Sequence, residues 1–139
     1  MEVGTVKLSK GWIRRIVRIG SKALAKRCHM QSKRAGWWND LETGEPLELT
    51  PERFAQKLCL IHSEISEAME GHRKGLMDDK LPHREMVEVE LADALIRIFD
   101  LAGYAGYDVV DAALEKLDFN ASRADHKIEN RAADGGKKY

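Results

Sequence analysis

Apolar residues along this chain fall into four runs with helical spacing, separated by loops rich in glycine, proline and polar residues. Trp12, Ile13, Ile16, Val17, Ala23 and Leu24 recur near a 3.6-residue period with arginines between them, which predicts a helix from about Trp12 to Arg34. Gly20 is expected to break it in two, and Gly36 to stop it. Thr50-Pro51-Glu52 reads as a strong helix start: a capping hydroxyl, a proline in the first turn and an acid at the positive end of the dipole. From there Phe54, Leu58, Ile61, Ile65 and Met69 make one apolar stripe running to about Lys74. A third helix is expected from about Arg84 to Ala102. Val87, Leu91, Ala94, Leu95, Ile98, Leu101 and Ala102 form its buried face, and Gly103 and Gly106 end it. Asp108 then caps a fourth helix carrying Val109, Ala112, Ala113, Leu117 and Phe119. No segment alternates with the period of a strand. The expected fold class is all-α: a four-helix bundle-like core with an additional basic N-terminal helix, assembled as an oligomer.

The length of 139 residues suits one domain. It divides into a basic amphipathic segment at 1–28, a helical core at 29–133 and a mobile tail at 134–139. No apolar run approaches the length of a membrane span. Arg14, Arg15 and Arg18 interrupt the apolar stretch near the N-terminus, so a leader is not expected. Two cysteines, Cys28 and Cys59, form neither a disulfide framework nor a metal motif. Cys59 lies in an apolar run and is expected in the core. On these features the chain is expected in the reduced cytoplasm.

Charge changes the picture, because a net charge of zero hides an uneven distribution. Residues 1–38 hold ten of the 23 basic residues and one of the 23 acids, leaving 13 basic and 22 acidic residues for the rest. The first third therefore suits an anionic partner or a solvated helix face.

Two acid pairs interrupt the apolar faces of the middle helices: Glu64 with Glu67, and Glu90 with Asp93. An i, i+3 pair lies about 60° apart on one helix face. Four carboxylates converging on the margin of a core repel one another unless cations neutralise them. Hard oxygen donors in such a group suit Mg²⁺, with Mn²⁺ as a substitute. A di-iron bundle site fits poorly, because neither Glu64 nor Glu90 has a histidine three residues on.

The stretches KLCLIHSEISEAMEGHRKG and EVELADALIRIFDLAGYAG carry these pairs as ExxE and ExxD. Together they resemble the MazG-like, all-α nucleoside triphosphate pyrophosphatase superfamily. KLDFNASRADHKIENRAADGGKKY resembles the helix that follows in that family, with Lys116, Asn120 and Arg123 on one face, and Gly36–Trp38 resembles the element preceding its first motif helix. The resemblance spans about residues 29–139. It implies a single MazG-like domain that cleaves a (d)NTP between the α- and β-phosphates to give (d)NMP and pyrophosphate. It also implies metal ligation by Glu64, Glu67, Glu90 and Asp93, with Glu64 or Glu67 deprotonating the attacking water. Phosphate contacts fall to Lys57, Lys116, Asn120 and Arg123. Base contacts fall to Trp37, Trp38 and His29, although packing is the plainer role for His29. One departure stands out: where members often carry a further acid, this chain has Val89.

Two more residues are read from spacing alone. Arg97, four residues after Asp93, is expected to bridge and orient that carboxylate, and Asp100 offers Arg97 a second acid. The implied partners are a nucleoside triphosphate, a deoxynucleotide first, and further copies of the chain as a homodimer or homotetramer. No stable nucleic-acid or membrane partner is expected. The competing reading is a non-enzymatic helical oligomer that holds nucleic acid or membrane through its basic N-terminal third.

Overall fold

The structure is a computed structural model and describes residues 9–137. Residues 1–8, which begin the basic segment, and residues 138–139 of the expected mobile tail lie outside the described residues. The chain is all-helical. Its helices are α1 (Lys10–Arg34), α2 (Pro51–Lys74), α3 (Met86–Ala105), α4 (Val109–Ser122) and α5 (Ile128–Ala132), with a 3-10 turn at Ala124–His126. Among the described residues there is no strand, only two isolated bridges, Asn39 with Pro46 and Met77 with Glu85. No described helix is long and apolar enough to cross a membrane.

Local chemistry sets the ends of the elements. Thr50 accepts a hydrogen bond from the Arg53 amide at 3.3 Å, Pro51 opens α2, and His72, Arg73 and Lys74 occupy its negative last turn. Gly75, with φ 63°, closes it by turning its amide back onto the Gly71 and His72 carbonyls. Gly106 does the same for α3, and Asp108 caps α4 by accepting from the Asp111 amide at 3.1 Å.

By internal packing the chain forms two compact units, one of residues 20–107, the other of residues up to Ile19 together with those from Asp108 onward. In the first unit α2 and α3 lie against each other. They are antiparallel: Gly71 lies beside Met86, Glu64 beside Glu90, and Lys57 near Arg97 and Asp100. The end of α1 and the loop after it are tied to α3 through buried Asp100. One of its oxygens accepts from Trp38 Nε1 at 2.8 Å and meets His29 Nδ1 at 2.9 Å. Trp38 stacks on Tyr104 with ring centroids 3.7 Å apart, and the Tyr104 hydroxyl donates to the Leu47 carbonyl. In the second unit Val110 is buried, and Arg14 and Arg18 of α1 pair with Asp118 and Asp111 of α4.

Four expectations are corrected. Gly20 does not divide α1, which runs unbroken; one glycine costs about 1 kcal/mol, too little to interrupt a 25-residue helix. Gly103 does not end α3. It lies inside the helix because its missing side chain admits His29: a Cβ there would fall 2.6 Å from His29 Cγ. Cys59 is exposed and Cys28 is the buried cysteine, since Cys59 faces away from α3. Finally, Leu91 and Leu95, expected on the buried face of α3, are exposed, as are Leu58, Ile65 and Met69 of the α2 stripe.

Candidate functional site

The site is built where α2 and α3 cross the middle of their contact. Glu64, Glu90 and Asp93 each bring an oxygen within 4.8 Å of the others. Glu64 and Glu90 are buried, whereas Glu67 is exposed at the margin. The helical rise sets this convergence. Glu90 and Asp93 lie one turn apart on α3, and the antiparallel α2 presents Glu64 between them.

The cluster is short of positive charge. Arg97 Nε bonds Glu64 Oε1 at 2.7 Å, which neutralises one acid. The Glu90 carboxyl is pushed up to about 7, first by burial, then by its hydrogen bond with Glu64, then by the charges of Glu67, Glu64 and Asp93. Asp93 is raised as well, by burial and by the charge of Glu64, with Arg97 opposing. Among the described residues this is the group of acids that fits a hard divalent cation: oxygen donors alone, close together, with excess negative charge that a cation would relieve. Asp78 adds a further buried acid nearby and raises Asp93, but its own Oδ1 is occupied by the amides of Lys80 and Leu81 at 3.0 and 2.5 Å.

Beside the acids lies a pocket of about 220 Å³ lined by Trp37, Lys57, Asp93, Ile96, Arg97 and Asp100, among others. That volume is below the roughly 300–1,000 Å³ of pockets that enclose a drug-sized ligand, so it suits a part of such a molecule. Trp37 is 68% exposed at the rim and offers a ring face. Trp38 is 1% exposed, and both its faces are taken, by Tyr104 and by Lys57 Nζ at 4.3 Å from the ring centroid. A base cannot stack on Trp38 without displacing one of them. His29 is likewise committed to Asp100 and packs edge-on to Tyr104. Burial lowers the Lys57 ammonium against the pull of Asp100.

The reading of Arg97 is corrected: its hydrogen-bonded partner is Glu64 across the helix contact, not Asp93 four residues back. Asp100 does not pair with Arg97 either, because Trp38 and His29 claim it. An i, i+4 pairing rule sees only one helix and misses a better-placed acid on the next.

Lys116, Asn120 and Arg123 belong to the other unit, on α4 and at its C-cap. Lys116 Nζ lies 4.8 Å from the Phe119 ring centroid and the Arg123 guanidinium 5.9 Å from it. Arg123 grips Asp125 through two bonds of 2.8 and 2.5 Å, while Asn120 Oδ1 is buried without a hydrogen-bond partner.

Sequence reasoning missed the Asp100–Trp38–Tyr104 cluster and Asp78. The signal for the first was one acid directly after the apolar pair Ile98 and Phe99, and for the second two adjacent acids in a loop; both patterns are common. No family model matches the chain, and no curated protein or solved structure matches it either.

Proposed function

We propose that this chain is a metal-dependent nucleoside triphosphate pyrophosphohydrolase. It cleaves a (d)NTP between the α- and β-phosphates to give (d)NMP and pyrophosphate. The observation that carries the reading is the convergence of Glu64, Glu90 and Asp93 beside a pocket with two cations and an exposed tryptophan. Glu64, Glu90 and Asp93, with Glu67 beside them, would hold Mg²⁺ or Mn²⁺, which supplies charge neutralisation for the phosphates and polarises a water.

The chain's own residues do the rest. Glu67, exposed at the edge of the cluster, accepts a proton from the water whose oxygen attacks the α-phosphorus. Glu64 is held in place by Arg97 and is the poorer base. The bond from the α-phosphorus to the bridging oxygen breaks, and its electrons leave with pyrophosphate. Lys57 and Arg97 offset charge on the phosphates within the pocket. Trp37 offers its face to the base. The enzyme works in the cytoplasm as a homodimer or homotetramer with a four-helix bundle-like core.

The competing reading, an anion-binding module using the basic N-terminal third, is weakened because Arg14 and Arg18 are already spent on Asp118 and Asp111. The test is pyrophosphate release from a panel of dNTPs and NTPs. Release with Mg²⁺, abolished by EDTA and by Glu67→Gln, is the expected result. No turnover on any nucleotide, with wild type equal to Glu67→Gln, overturns the reading. Steeply salt-dependent DNA or lipid binding lost on deleting residues 1–27 would then support the competitor.

A further inference from the structure

Asp100 carries more acceptor capacity than its neighbours use. It is 7% exposed, yet it lines the pocket beside the acids. Trp38 Nε1 and His29 Nδ1 both meet its Oδ1, at 2.8 and 2.9 Å. A neutral amide oxygen has two lone pairs and would serve both partners without the cost of burying a charge. The carboxylate brings a second oxygen, Oδ2, whose lone pairs neither partner takes. Lys57 stands off as well. Asp100 attracts its ammonium, but the ammonium rests on the Trp38 ring face, and among the described residues the ion pair of Asp100 is with His29.

The level of Asp100 in the α2/α3 hairpin decides what such an oxygen meets. Asp93 and Asp100 are seven residues apart, about 10 Å along the axis of α3. That is the span from the α-phosphate of a nucleotide to the far edge of its base. With the phosphates at the acid cluster, the base shares the pocket with the exposed Trp37 ring and the apolar side chains of Leu60 and Ile96, and its edge away from the sugar comes to Asp100.

We infer that Asp100 is a specificity-determining residue: its remaining oxygen accepts a hydrogen bond from an exocyclic amino group at that far edge, so the site selects cytosine and adenine over their carbonyl counterparts, uracil and hypoxanthine. The inference rests on the pyrophosphohydrolase reading, which puts a nucleotide in this pocket. A carbonyl oxygen at the same place would set two acceptors against each other with no proton between them, in a buried site where an unmade hydrogen bond is expensive. Lys57, a donor only, suits the ring nitrogen beside the amino group, N3 of cytosine or N1 of adenine. The carboxylate is the fixed half of this pair. Trp38 is stacked on Tyr104 and His29 is seated over Gly103, so Asp100 cannot turn to suit a carbonyl.

Calorimetry of the full chain with Mg²⁺ tests this, using deoxynucleotide analogues in which NH replaces the oxygen bridging the α- and β-phosphates, so that binding is read without turnover. The cytosine analogue should bind about 10- to 100-fold more tightly than the uracil analogue, and the adenine analogue should exceed the hypoxanthine analogue by a similar factor. Asp100→Asn keeps one oxygen for Trp38 and His29 and puts an NH₂ donor in the place of Oδ2, so the preference should vanish or invert; a merely structural residue would weaken every analogue alike. Circular dichroism checks that the variant folds, and the wild-type ratios stand as a test whether or not it does. Equal affinity within both pairs, tighter binding of the carbonyl members, no binding of any analogue, or ratios that a folded Asp100→Asn leaves unchanged overturns the inference. Pyrophosphate release without discrimination between the analogues defeats the inference and keeps the hydrolase. Discrimination without pyrophosphate release defeats the hydrolase and keeps the role of Asp100.

Discussion

Without metal, the acid cluster should make the protein less stable as pH rises from 5 to 8. In the folded chain the Glu90 carboxyl titrates at about 7, against 4.5 when it is free. Between those values the folded state holds a proton that the unfolded state has released. Stability therefore falls with rising pH across that window and levels off above it. The difference of 7 − 4.5 corresponds to at most about 3 kcal/mol, and water reaching the margin of the cluster brings this to about 2 kcal/mol. Asp93 is raised in the same direction and adds to the slope. The groups held low, such as Asp40 and Asp125, titrate below the window and do not mask it. Urea denaturation in EDTA at pH 5, 6, 7 and 8 measures this directly. Glu90→Gln should flatten the profile and exceed the wild type in stability at pH 8. Millimolar Mg²⁺ should restore the wild type at pH 8 and do little for the variant. A wild type that gains stability from pH 5 to 8, or a slope that Glu90→Gln leaves unchanged, would refute the electrostatic account of the site.

Three further expectations concern residues around the cluster. Arg97→Gln removes the guanidinium that holds Glu64, so affinity for Mn²⁺ alone, measured by calorimetry, should rise by about five- to tenfold; equal or weaker binding would show that Arg97 does not compete with the ion. Gly103→Ala should cost about 1–3 kcal/mol in a thermal melt because its methyl group meets His29, whereas Gly20→Ala, with open space around it, should add about 0.5–1 kcal/mol; the same sign for both would contradict the packing described. Trp38→Ala should cost about 3–5 kcal/mol, and Trp37→Ala about 0.5 kcal/mol or less while raising the KM for nucleotide; equal destabilisation by the two would show that Trp37 is not a surface residue.

The starts and stops of α2 were legible because their causes are local: the Thr50 hydroxyl, the fixed φ of Pro51 and the left-handed Gly75 all act within a few residues. The acid cluster was legible in part for the same reason. The i, i+3 spacing places Glu90 with Asp93, but only the packing of α2 on α3 shows that Glu64 joins them closely and that Glu67 stays at the edge. What the sequence hid depends on contacts distant along the chain. Gly103 carries the same local signature as a helix stop, and only the approach of His29 across 74 residues shows it to be a packing site. Trp37 and Trp38 are indistinguishable as neighbours in a loop; Asp100, 62 residues from Trp38, decides which is buried. Leu91 and Leu95 obey the helical period of a buried face, yet period reports which side of a helix is apolar and not whether this chain or another covers it.

The two glycines inside the hairpin act on the site at a distance. Met86, at the start of α3, seats over Gly71, and His29 seats over Gly103 near its end, some 17 residues or about 26 Å along the axis. A knob and socket at each end lock the register of α3, one against Gly71 of α2 and one against His29 of α1, so a slide of α3 against those neighbours must unseat both. Glu90 and Asp93 lie between these two pins. The height at which they face Glu64 is thus fixed by contacts that touch none of these three acids, and the spacing of the carboxylates is a mechanical property of the helix, set at its ends rather than at the cluster itself.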